Sequence, residues 1–119
     1  DFCLSRGLGD VYKRQDYDEV LARLYSEDMI RRFLIKFLND GTYDLLIEQL
    51  LLENYLEAFR AAHTLKGVCE NLGLSDLCKS SSMLTEALRA GVRPENLTVL
   101  KAQVCADYEQ AVSAIQMIC

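Results

Sequence analysis

Three observations predict an all-α fold, an antiparallel up-and-down four-helix bundle with one or two short extra helices at its N-terminal end. Apolar residues recur at three- and four-residue spacing almost throughout the chain, and strand-like alternation is absent. Proline occurs once, at Pro94. The breaks between amphipathic runs are short and built from Gly, Asn, Asp or Ser, and short loops make successive helices antiparallel neighbours.

The elements follow from their punctuation. Residues 1–15, DFCLSRGLGDVYKRQ, show no clear period and hold two of the glycines; they read as a disordered or non-native leader. The bundle domain is expected over residues 16–119. A short helix is predicted at Tyr17–Tyr25. Ser26, with Glu27 and Asp28 behind it, makes an N-cap followed by acids in the first turn. It opens a helix carrying Ile30, Phe33, Leu34, Phe37 and Leu38. Asn39-Asp40-Gly41 ends that helix, and Thr42 is the expected cap of the next, which carries Leu45, Leu46, Leu50 and Leu51. Asn54 and Glu57 fit a capping-box variant at the head of a long helix. Gly73 is placed to end it as a C′ residue. Ser75 caps a helix running to about Arg89, closed by Gly91, and Pro94 sits where a first-turn proline belongs. The last helix presents Leu97, Leu100, Val104, Tyr108, Ala111, Ile115 and Ile118 as a seam suited to bundle packing. Ser80–Ser82 fall within a helix, facing solvent or packing.

With 119 residues the chain is the size of one domain, and 50% hydrophobic with 26% charged residues excludes a disordered one. No apolar run approaches the roughly 18 residues of a membrane span, so no membrane partner is expected. The net charge of −5 argues against nucleic acid. Its distribution is uneven. Asp16–Glu57 holds ten acids against four bases, a net of −6, whereas Arg60–Lys101 holds six bases against four acids, a net of +2. The mildly basic half carries the only histidine, His63. Five cysteines, with no C-x-x-C pair, read as reduced thiols of a cytoplasmic protein, Cys69, Cys78 and Cys105 among them as small core residues. Metal-ligand spacing is absent, so no metal site is expected.

Around His63 the sequence reads Phe59-Arg60-Ala61-Ala62-His63-Thr64-Leu65-Lys66-Gly67. Tyr55, Phe59, Ala62, Leu65, Cys69 and Leu72 form one core stripe at helical spacing. His63 lies at its edge, with Gly67 one turn later on the same outward ridge and Glu70 one turn beyond. Arg60 and Lys66 are its neighbours three residues before and after. A neutral imidazole is a nucleophile near pH 7. Once phosphorylated it carries nearly two negative charges, which Lys66 is placed to offset. A glycine inside a helix is unfavourable by about 1 kcal/mol relative to alanine. Room for another protein's active site is a reason for that loss.

H-x-L-K-G on a bundle helix, after F-x-x-A and followed by Gly73, Leu74 and Leu77, resembles the histidine-containing phosphotransfer (HPt) family. The resemblance covers Tyr17 to Ile118 in layout and Phe59 to Arg89 in motif. It implies a four-helix bundle and a phosphorelay intermediate with no catalytic site of its own. Such a protein exchanges a phosphoryl group between His63 and receiver-domain aspartates of two-component signalling proteins. It also implies His63 as the phospho-accepting residue, Lys66 as the charge stabiliser and Gly67 as the clearance position. Many members carry a glutamine 22 residues after the histidine to orient the imidazole; here that position is Thr85. Thr85, Arg89, Arg60 and Glu70 are therefore candidates for imidazole orientation or docking, Arg89 as additional positive charge. No cofactor is expected, magnesium coming with the partner receiver domain. The expected partners of this monomeric cytoplasmic protein are a response-regulator receiver domain and a histidine or hybrid kinase. Two alternatives stand beside this reading. One is a phosphotransfer domain detached from a hybrid or chemotaxis-type kinase; the other is a helical interaction module whose histidine is never phosphorylated.

Overall fold

The computed structural model describes residues 8–118, which form seven helices: α1 (Leu8–Val11), α2 (Arg14–Leu24), α3 (Glu27–Leu38), α4 (Thr42–Leu51), α5 (Tyr55–Leu72), α6 (Ser75–Leu88) and α7 (Leu97–Gln116). No strand occurs among the described residues. The shape is elongated, 46 × 22 × 21 Å. Helices α4, α5, α6 and α7 pack in sequence, and α3 lies against α5 and α7. The core between them is built from Leu46, Leu50, Ala58, Ala62, Leu65, Leu77, Leu84, Leu88, Val104 and Ile115. An aromatic set ties the edges together. Tyr43 of α4 stacks on Tyr108 of α7 with ring centroids 3.7 Å apart, and Phe37 of α3 tilts against the same Tyr108 at 5.7 Å.

Several boundaries follow the sequence logic directly. Ser26 caps α3, its hydroxyl accepting from the Met29 amide at 3.1 Å. Gly73 ends α5 in the left-handed region at φ 68°. Its amide donates to the Glu70 carbonyl and the Leu74 amide to that of Cys69, the paired bonds of a Schellman ending. No other residue suits Gly73. A Cβ there would lie 2.1 Å from Cγ2 of Val20, so α2 is docked directly on the α5–α6 turn. Arg23 of α2 reinforces that contact by donating to the Glu70 and Asn71 carbonyls at the C-terminal end of α5.

Three expected caps and the expected first-turn proline differ. At the head of α4 it is Asp40, not Thr42, that supplies the capping oxygen: its Oδ1 accepts from the Thr42 amide at 2.7 Å. Asn54 occupies the N-cap of α5 without a side-chain cap bond. Leu74 holds that position for α6, and Ser75 is already helical. Pro94 lies before the last helix, which starts at Leu97 after a turn in which the Leu97 amide donates to the Pro94 carbonyl. Within the segment read as a leader, α1 packs on α7, α2 begins at Arg14, and Leu8 and Tyr12 are buried. Burial of these two large side chains holds the segment in place despite its aperiodic sequence. Residues 1–7 and Cys119 lie outside the described residues.

Candidate functional site

Helix α5 is the central element, packed against α3, α4 and α6. It buries Tyr55, Ala58, Ala61, Ala62, Leu65, Cys69 and Leu72. The three alanines let neighbouring helices approach on the inward side, and the opposite ridge, from Leu56 through Arg60, His63 and Thr64 to Glu70 and Asn71, meets solvent. His63 stands on that ridge, exposed. Phe59, expected in the core stripe, packs against the core at its edge and is half-buried. One turn before His63, its ring lies nearly parallel to the imidazole, 6.2 Å between centroids and 16° between planes. The Arg89 guanidinium, reaching over from the end of α6, also lies over the Phe59 ring, 5.2 Å from its centroid.

Lys66 is half-buried beside the ridge. At Gly67, an added Cβ would meet nothing within 4 Å. A close helix crossing therefore does not account for the glycine, since no neighbouring helix occupies the space a side chain would take. That space is open toward solvent one turn from His63.

The bottom of α6 brings charge to the same place. Arg89 donates from Nε and Nη2 to the two carboxylate oxygens of Glu86, at 3.2 and 2.7 Å. These bonds hold the Glu86 carboxyl below its ordinary range, and the positive charge of Arg89, the nearby Lys66 and His63 act in the same direction. Glu86 is thus bonded to Arg89 and close enough to Lys66 and His63 to feel their charge. Sequence reading missed it; the signal that could have found it is the i,i+3 spacing of Glu86 and Arg89, immediately after Thr85.

Thr85 does not make the contact its position suggests. It is 1% exposed, and its hydroxyl donates to the Ser81 carbonyl one turn back at 2.6 Å. The ring that lies along the imidazole belongs to Phe59. Arg60 is engaged by Glu57 in an i,i+3 ion pair, while its carbonyl accepts from the Thr64 hydroxyl at 3.0 Å. Glu70 is exposed a turn beyond Gly67 and lines a groove with Lys66, Cys69 and Cys78. The structure therefore brings together His63, Phe59, Lys66, Gly67, Glu86 and Arg89, leaves Arg60 and Glu70 on the margins, and buries Thr85.

The thiols of Cys69, Cys78 and Cys105 are free. Burial pushes Cys69 and Cys78 away from the reactive thiolate form. Among the described residues no group of three or more His, Cys, Asp or Glu is placed to hold a metal ion. Nor is any helix among them long and apolar enough to cross a membrane. Ser80 and Ser81 are buried and satisfied by carbonyls of their own helix, so this run is packing.

A helical bundle that displays one imidazole beside a lysine, an arginine and an open glycine position is suited to carry a phosphoryl group on histidine. The chain belongs to the Hpt domain family, whose description matches residues 34–116, from α3 to the end of α7. Membership implies histidine phosphotransfer in two-component signalling by a module without its own catalytic site, interacting with kinases and receiver domains. No curated protein and no solved structure matches the chain significantly.

Proposed function

We propose that the chain is a phosphorelay intermediate that exchanges a phosphoryl group between His63 and the aspartate of a receiver domain. The imidazole nitrogen attacks the aspartyl phosphate; a P–N bond forms as the P–O bond to the carboxylate breaks, and the ring N–H proton leaves to solvent. Onward transfer to a second receiver reverses these steps. Phosphoryl transfer is governed by positioning and charge, so a protein without a catalytic site of its own serves well as acceptor. Magnesium and the in-line geometry come with the receiver. Phe59 holds the ring plane, Lys66 offsets the charge, and Arg89 adds a second cation within the same patch. The up-and-down core of this reading is α4–α7. The protein works as a monomer in the cytoplasm, where its thiols stay reduced.

The observation that carries the proposal is the open space at Gly67 beside an exposed His63. A glycine so placed in a helix interior has no packing reason, and a docking one fits it. The test is to incubate the protein with receiver domains charged by labelled acetyl phosphate. Acid-labile, base-stable label is expected on the wild type and none on His63→Gln, with the same thermal midpoint for both because His63 is exposed. Label on Thr64 or on Ser80–Ser82 overturns the proposal.

A further inference from the structure

In the proposed phosphotransfer the Glu86 carboxylate has no role, yet a negative charge near a residue that is to bear two more is not without effect. An i,i+3 ion pair on an exposed helix is commonplace, but this one is not placed at random. The guanidinium that Glu86 holds with two hydrogen bonds lies over the Phe59 ring, and that ring lies along His63. Arg89 is therefore within the neighbourhood of the imidazole yet already committed to another anion. Of the charged groups around His63, Lys66 is in no ion pair among the described residues, Arg60 is paired with Glu57, and Arg89 is paired with Glu86.

We propose, resting on the phosphotransfer reading, that Glu86 is a positioning residue that keeps phospho-His63 a ready donor by competing with the phosphoryl group for Arg89. In the free protein the pair is closed on the Phe59 ring. A phosphoryl group on His63 offers Arg89 a second anion. Either Arg89 stays with Glu86, and the phosphoryl charge is offset by Lys66 alone, or it turns to the phosphoryl oxygens and leaves the Glu86 carboxylate facing that charge unpaired. Both arrangements hold the phosphorylated state higher in free energy than the same site with a neutral residue at position 86. A relay intermediate benefits from that, because a phosphohistidine stabilised too well would not pass its group on.

The test compares wild type, Glu86→Gln and Glu86→Gln/Arg89→Ala. Each is brought to equilibrium with one charged receiver, and the ratio of phosphohistidine to phosphoaspartate is measured at low and high salt. In Glu86→Gln the ratio is expected to rise about two- to fivefold, the range of an exposed charge pair, with the gain shrinking in high salt. Adding Arg89→Ala is expected to abolish the gain. An unchanged or lowered ratio in Glu86→Gln overturns the proposal, as does a gain that survives the loss of Arg89. Absence of label on the wild type would instead sink the phosphotransfer reading itself. Glu86 and Arg89 are both exposed, so unfolding does not confuse the result; urea melts of the three proteins verify this.

Discussion

Helices α5 and α7 are of similar length but are used differently. Seven of the 18 residues of α5 are buried, against four of the 20 in α7. Helix α5 is gripped by α3, α4 and α6, whereas α7 packs on α6 with lesser contacts to α1 and α3. The histidine stands on the more deeply embedded of the two. Reacting groups gain most from a rigid support, because small misplacements are expensive in transfer chemistry. The comparison shows a division of labour: the inward side of α5 fixes position through small and aliphatic residues, and its outward side, with His63, faces solvent. On α7 the same outward freedom carries no such constellation.

Substitutions can break this comparison. The largest effect on transfer among variants that retain His63 is expected at Gly67→Gln. Its side chain would stand where a receiver must approach, and overpacking of about 1–3 kcal/mol in that encounter slows transfer by about five- to 150-fold. Stability should hold or rise by up to about 1 kcal/mol, since a good helix former enters an open position. Urea melts and a transfer assay on this one variant settle it; a normal rate in a stable protein would remove the docking face from the Gly67 side. Next comes Lys66→Ala, expected to fold normally and to slow transfer about fivefold, the loss of roughly 1 kcal/mol of charge pairing. A wild-type rate there would move the stabilising role to Arg89 or Arg60. The smallest effect on transfer is expected on α7. Val104→Ala empties part of the core and should cost about 1–3 kcal/mol in urea unfolding while leaving the rate per folded molecule unchanged. A large loss of transfer from that variant would mean that α7, too, sets the position of His63.

Much of this was legible in the sequence, because it rests on local chemistry. Ser26 as a cap, Gly73 as a left-handed ending and the spacing of His63, Lys66 and Gly67 depend on neighbours within a turn or two. What was not legible depends on contacts across helices or on competition for one hydrogen bond. Nothing in the spacing of Thr85 says that its hydroxyl bonds Ser81, yet threonine within a helix often bonds back to the preceding turn. The period of Phe59 puts it in the core stripe, but the period cannot tell a fully buried ring from one at the core's edge that also meets an imidazole and a guanidinium. Leu8 and Tyr12 lack periodic company, and their burial depends on distant parts of the chain, α1 packing on α7 and the Tyr12 ring lying by Gly73.

The open space at Gly67 also bears on how such a chain responds to selection. Stability screens and consensus design favour good helix formers over a glycine inside a helix, and here no steric contact would resist the exchange. Enrichment for heat tolerance alone should therefore drift toward residues that bar the partner, yielding robust bundles that no longer signal. Persistence of glycine through such a selection, when phosphotransfer is not also demanded, would show that it serves the fold in some way its surroundings do not reveal. Its loss there, and its retention once transfer is demanded, would make this position a record of which pressure the chain has been under.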